Sequence, residues 1–292
     1  MPGRAHRLLM VVLVLSHILI AQDEPSIVWH KVDEGDWTRL YLKNSLFPHP
    51  SRKNGHTYKG LRFTFAVNYS DSSAVVFLPM GYKTLNNVNN VIVHFHGWNN
   101  EVLNVMHNFN ILPQVYHSRK NVILILAQGP KNAMDSAGGK VEERNGLKRF
   151  IQEVLTTLKE EGRIATSTIG QVIISAHNGG YRPAIMGLVN GGLEKNIKEL
   201  YLFDAFYDLT ENIIPWLKLE KDNKLRSIYT ESLAPEHRDF LKILYENGLR
   251  YNNVLTPETK IMLQFSRACH DCIVEDNFEL WLKNSPLEDI EE

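Results

Sequence analysis

The sequence predicts an α/β fold: a three-layer α/β/α sandwich around a mostly parallel sheet, with an antiparallel hairpin at its N-terminal side. Continuous β-branched runs such as "VIVHF" (91–95) and "NVILILA" (121–127) read as strands covered on both faces. Amphipathic helical segments alternate with them from residue 91 onward. Repeated strand–helix–strand crossovers are right-handed and keep the strands parallel, with helices on the sheet faces.

The elements follow in order. Residues 22–58 form a polar and aromatic lead-in, irregular or short-stranded. "LRFTFAV" (61–67) alternates like a strand, and "SAVVFLP" (73–79) follows after the polar "NYSDS", so the pair suggests the hairpin. Asn68-Tyr69-Ser70 in that turn is a glycosylation sequon, relevant only in a host that glycosylates. The 101–118 segment reads as a helix interrupted by Pro113. Leu147, Phe150, Ile151, Val154, Leu155 and Leu158 form one apolar helical stripe ending at Gly162. "IGQVIISA" (169–176) is a buried strand, and the helix over 180–190 stops at Gly191-Gly192. Further strands are expected at 197–205, 224–230 and 260–266, with a helix from Pro235 to Asn247 between the last two. The closing helix carries Val274, Phe278, Trp281 and Leu282 on one face.

A chain of 292 residues with 43% apolar residues can bury one large core. Its 32 Lys+Arg against 33 Asp+Glu nearly cancel, and no basic stripe is interleaved with aromatics, so nucleic acid is excluded as a partner class. At the N-terminus, Arg4 and Arg7 precede an apolar run from Leu8 to Ala21. The run is shorter than the about 20 residues of a bilayer span, so residues 1–21 read as a signal peptide cut near Ala21. The alternative is an uncleaved anchor. The mature protein is then secreted or periplasmic, with no stable membrane span. Cys269 and Cys272 are spaced C-x-x-C, which export makes a candidate disulfide, the alternative being two idle thiols. Two thiols without nearby partners do not make a zinc site, and no metal or cofactor is implied.

Three stretches carry chemistry. "VIISAHNGGY" (172–181) is a β-branched run ending in small-His-Asn-Gly-Gly before a helical pattern. "HFHGWNN" (94–100) ends the first parallel strand, and "FSRACHDC" (265–272) follows the last. In this order they resemble the α/β-hydrolase superfamily of serine esterases, lipases and peptidases, over roughly residues 60–285. The resemblance implies a sandwich of α/β-hydrolase type over 59–292, with a small lid region near 205–223. It implies that Gly97 turns the chain sharply, that the amides of Trp98 and Gly179 form an oxyanion hole, and that His270 is the base. Asp204, within "YLFDA" (201–205) at the end of a strand, is the favoured acid, with Glu231 as the alternative. Each also has a plain reading as a turn glycine, packed residue or exposed loop residue.

At the apex the family carries Ser, and this chain carries Asn178. A carboxamide has no proton that a base can remove near neutral pH, although Asn tolerates the strained turn well. Ser175 lies within the strand and points away from the donors. The Gly-rich loop 127–146 holds Asp135, Ser136 and Lys140 as candidate substrate-binding residues, at a strand end where ligands bind in open α/β sheets. Phe206, Tyr207, Ile213, Ile214 and Trp216 either line an acyl or peptide pocket or pack in the core.

The expectation is a secreted α/β-hydrolase homologue that is catalytically impaired and binds a small acyl or peptide ligand. The alternative is an active hydrolase of carboxylic esters or related acyl substrates. It would use Asn178 deamidated to Asp, since Asn-Gly is prone to succinimide formation, or water activated by His270. A redox role through Cys269 and Cys272 ranks last. Oligomeric state is left open.

Overall fold

The computed structural model describes residues 27–291, so the expected signal peptide over 1–21 lies outside the described residues. Eleven strands and eight α-helices alternate along this stretch. The strands are β1 (Trp29–Val32), β2 (Gly35–Tyr41), β3 (His56–Tyr58), β4 (Leu61–Phe63), β5 (Ser73–Pro79), β6 (Asn89–Phe95), β7 (Ile123–Ala127), β8 (Ile169–His177), β9 (Ile197–Phe203), β10 (Lys224–Tyr229) and β11 (Ile261–Phe265). The helices are α1 (Phe65–Asn68), α2 (Val102–Asn108), α3 (Ile111–His117), α4 (Gly146–Glu160), α5 (Tyr181–Asn190), α6 (Ile213–Leu219), α7 (Ala234–Glu246) and α8 (Cys272–Lys283).

Nine strands form one sheet in the order β1-β2-β5-β7-β6-β8-β9-β10-β11. β6 to β11 run parallel, and β1, β2 and β5 join them through antiparallel pairings. The β-branched runs bury both faces because successive side chains alternate. Val91, Val93 and Phe95 enter a core shared with α4, α5, α6 and α7. Ile92 enters the opposite core with α2, α3 and α8. This is the expected three-layer sandwich. Among the described residues, no helix is long and apolar enough to cross a membrane.

Two local readings are corrected. The antiparallel hairpin is β1–β2, not 61–67 with 73–79. β4 pairs with β3 in a small separate sheet, and Phe65–Asn68 is a helical turn. All seven residues of β5 are buried, so it needs a neighbour on each side and takes β2 and β7. The alternation in 61–67 buries little, since Leu61 and Val67 are exposed. The lead-in over 22–58 therefore supplies two strands of the main sheet, which begins before residue 59. In the 101–118 segment the break falls at Asn110, whose φ of 46° is left-handed, while Pro113 sits in the first turn of α3. Proline is tolerated there because first-turn N–H groups have no partner within the helix.

The chain leaves β6 toward β7 on one side of it and returns through α4 to β8 on the other. At this switch point, loops at the carboxyl ends of β6 and β8 diverge and open a crevice. α8 follows β11 after a short loop, and its seat depends on Trp281, which stacks on Phe203 at 4.3 Å and meets Tyr201 edge-on at 5.4 Å. Trp281→Ala should destabilise the fold by about 3–5 kcal/mol, the usual cost of emptying a buried indole site. Urea unfolding measures this, and a loss below about 1 kcal/mol would show that α8 is not anchored there.

Candidate active site

β8 ends at His177, and Asn178 follows with a φ of 49°. A 3-10 turn over Asn178–Gly180 then leads into α5. Such left-handed backbone is uncommon outside glycine, and Asn is among the side chains that adopt it most readily. The turn is possible because three glycines let chains meet. A Cβ at Gly180 would lie 2.2 Å from the Phe95 carbonyl oxygen, and one at Gly97 would lie 2.6 Å from the Asn178 Cβ. A Cβ at Gly179 would strike the Trp98 indole at 2.2 Å.

The Asn178 carboxamide sits at the centre of the crevice. Its Oδ1 accepts from the Gly179 amide at 2.5 Å and from the Trp98 amide at 3.3 Å. Two backbone donors converging on one oxygen fix which end of the carboxamide is the oxygen. Its Nδ2 lies 2.7 Å from His270 Nε2 and 3.4 Å from the Tyr207 hydroxyl. On its other side, His270 Nδ1 donates to Asp204 Oδ2 at 2.5 Å, which leaves Nε2 as the acceptor for the amide. Asp204 also accepts from the Thr230 amide at 2.9 Å and the Thr230 hydroxyl at 2.8 Å. Asn178, His270 and Asp204 thus form a continuous hydrogen-bonded line, ending at the donors of Trp98 and Gly179.

The electrostatics follow from burial and these bonds. Asp204 is fully buried, which alone would raise its carboxyl, but hydrogen bonds from His270 and Thr230 carry it below the usual carboxylate range. The same contact raises His270, burial opposing it only in part. His177, beneath the turn, is held at about 4 by burial, with repulsion from His270 adding to it. Its Nε2 lies 3.2 Å from the His270 carbonyl oxygen, and the two rings pack at 4.6 Å.

The remaining candidates divide. Glu231 is exposed in the 3-10 turn after β10, and its neighbour Thr230 makes the contacts to Asp204, so the carboxylate beside His270 is Asp204. Asp135 is held by Arg52, through bonds of 2.6 and 2.9 Å, and by Tyr69 at 3.0 Å, so it ties loop 127–146 to the N-terminal segment. Ser136 accepts from the Trp98 indole at 2.8 Å and fixes that ring. Asp135 and Ser136 line a cavity of about 550 Å³ beside Trp98, together with His56, Tyr58 and Tyr181. Lys140 does not line it; its ammonium reaches the Lys43 carbonyl at 2.6 Å. In the lid segment, Phe206, Ile213, Ile214 and Trp216 are core residues, and Tyr207 alone of the five reaches Asn178. Thr230 and His177 are contributors the sequence reading left without a role.

Cys269 and Cys272 are joined in a disulfide, so His270 sits inside a four-residue loop opening into α8. His177, His270 and exposed Asp271 offer donor atoms within 4.8 Å of one another. His270 already uses both ring nitrogens on Asp204 and Asn178, so a cation there would have to break that line.

Comparison with solved structures extends the geometry. An S-formylglutathione hydrolase from Agrobacterium tumefaciens superposes with a TM-score of 0.53 at 11% identity, covering 89% of this chain and 99% of that one. The chain has the α/β-hydrolase fold. Lower-scoring likenesses include a feruloyl esterase module from Clostridium thermocellum, with a TM-score of 0.49, 14% identity, and coverage of 91% of this chain and 98% of that one. A ferulic acid esterase from Anaeromyces mucronatus also scores 0.49 at 12% identity, covering 80% of this chain and 94% of that one. No family model matches the sequence, and no curated protein sequence matches it. The hydrolase fold is therefore carried by backbone arrangement with little sequence identity.

His270 should titrate above the ordinary histidine value of about 6.5, because the adjacent carboxylate favours imidazolium. A raised folded value means that this contact adds stability below the unfolded-state value, and the increment is lost as pH rises through the folded one. NMR titration of the ring proton reads it directly. In Asp204→Asn the midpoint should fall back, and a wild-type midpoint at or below the ordinary value contradicts the pairing.

Proposed function

We propose that this chain is an exported protein of hydrolase descent whose acyl-transfer chemistry is blocked at residue 178, and which acts by binding an acyl or peptide ligand without turning it over. One observation carries the reading. The oxyanion hole is filled from within, because the Asn178 Oδ1 takes the Trp98 and Gly179 amides that a substrate carbonyl oxygen would need. The base is equally engaged, since Nε2 of His270 meets the Asn178 amide nitrogen.

A hydroxyl at this position would lose its proton to His270 and leave both amides free for the substrate. The carboxamide offers no such nucleophile and covers the donors as well. This geometry also weighs against direct attack on an ester by water from His270, because no donors remain for the developing anion. The cavity beside Trp98 supplies a place for a ligand: aromatic on Tyr58, Trp98 and Tyr181, with the charges of Arg52 and Arg182 held by Asp135 and Glu142. Export is supported by the N-terminal charge and apolar pattern and by the closed Cys269–Cys272 bridge.

Short p-nitrophenyl esters separate the readings. Wild type should hydrolyse them at background, while Asn178→Ser should gain activity, toward the about 10⁶-fold that an elbow nucleophile supplies in a triad. Equal activity in both proteins would overturn the proposal.

A further inference from the structure

The side chain of Asn178 is placed as a substrate amide rather than as a catalyst. Its carbonyl oxygen lies on two backbone N–H groups, and its amide nitrogen lies 2.7 Å from the imidazole nitrogen of an Asp-paired histidine. That is where an acyl-transfer site holds the oxygen that becomes negative and the nitrogen that departs. Asn178 is only partly buried, and about a third of the His270 side chain is exposed, so water has access to both.

We infer that the site hydrolyses its own amide, converting Asn178 to Asp in a single turnover directed by His270. The inference rests on the oxyanion-hole and imidazole geometry proposed above. A water that displaces the Asn178 amide from His270 Nε2 gives its proton to that nitrogen while its oxygen bonds to Cγ. Negative charge passes to Oδ1, where the Trp98 and Gly179 amides already point. The imidazolium, balanced by Asp204, returns the proton to Nδ2, the Cγ–Nδ2 bond breaks, and ammonia leaves. One water is consumed and one ammonia is released, with no oxidation or reduction.

Ordinary Asn-Gly chemistry runs differently. There the Gly179 nitrogen attacks Cγ and forms a succinimide, which opens at either carbonyl to a mixture of aspartate and isoaspartate. Here the Gly179 N–H points at Oδ1 and serves as an oxyanion donor, so attack by water leaves the main chain intact. The product is α-linked aspartate alone.

The test is a time course on folded full-length protein, incubated in ¹⁸O-labelled water. Peptide mapping then uses a fragmentation that separates aspartate from isoaspartate. Wild type should accumulate aspartate at 178, carrying one heavy oxygen and no isoaspartate. The rate should fall at least about a hundredfold in His270→Ala, the usual contribution of a positioned acid–base group. His270→Gln, of similar bulk and unable to relay the proton, repeats the comparison should the alanine variant unfold. An amide that persists in folded wild type would overturn the inference, as would an aspartate–isoaspartate mixture forming equally fast without His270. Either result would leave the ester assay on Asn178→Ser unaffected, so failure here is distinct from failure of the functional reading.

Discussion

The site depends on one carboxamide satisfied at both ends. Its oxygen needs donors and its nitrogen needs acceptors, and the crevice supplies two main-chain amides for the first and an imidazole for the second. These bonds pair both ends of a carboxamide that is only partly buried. The left-handed backbone at Asn178 is kept by the same contacts and by glycines that let β6 and β8 close to van der Waals distance at their ends.

Everything around that carboxamide comes from sheet order. β6 and β8 are neighbours although β7 lies between them in sequence, which brings Gly97 and Trp98 beside Asn178. β9 delivers Asp204, β10 delivers Thr230 beneath it, and the loop between β11 and α8 delivers His270. The Cys269–Cys272 bridge shortens that last loop, and Trp281 anchors the helix that follows. Together these elements hold the Asn178–His270–Asp204 line in register.

Much of this was legible in the sequence, and the reason is physical. Runs such as "VIVHF" reveal buried parallel strands because burial on both faces leaves no polar alternation, and turn residues mark where strands end. Gly97, Asn178, Gly179, Asp204 and His270 stand out because each terminates such a run or closely follows one. Thr230 was invisible: a threonine at a strand end is ordinary, and only pairing of β9 with β10 puts it against Asp204. The ion pair of Asp135 was invisible because its partner, Arg52, lies far away in sequence. The strand pattern at 61–67 misled for a similar reason. Alternation states what a segment can do alone, while the buried β5 required longer-range neighbours in β2 and β7.

The most direct measurement is NMR of protein carrying ¹⁵N-labelled asparagine and histidine side chains. If the carboxamide bridges the two backbone amides and the imidazole, its side-chain protons will exchange more slowly with solvent than those of an exposed asparagine. One of them will also show coupling to His270 Nε2 across the hydrogen bond. A freely rotating, rapidly exchanging Asn178 amide, with His270 indifferent to its replacement by alanine, would contradict the account.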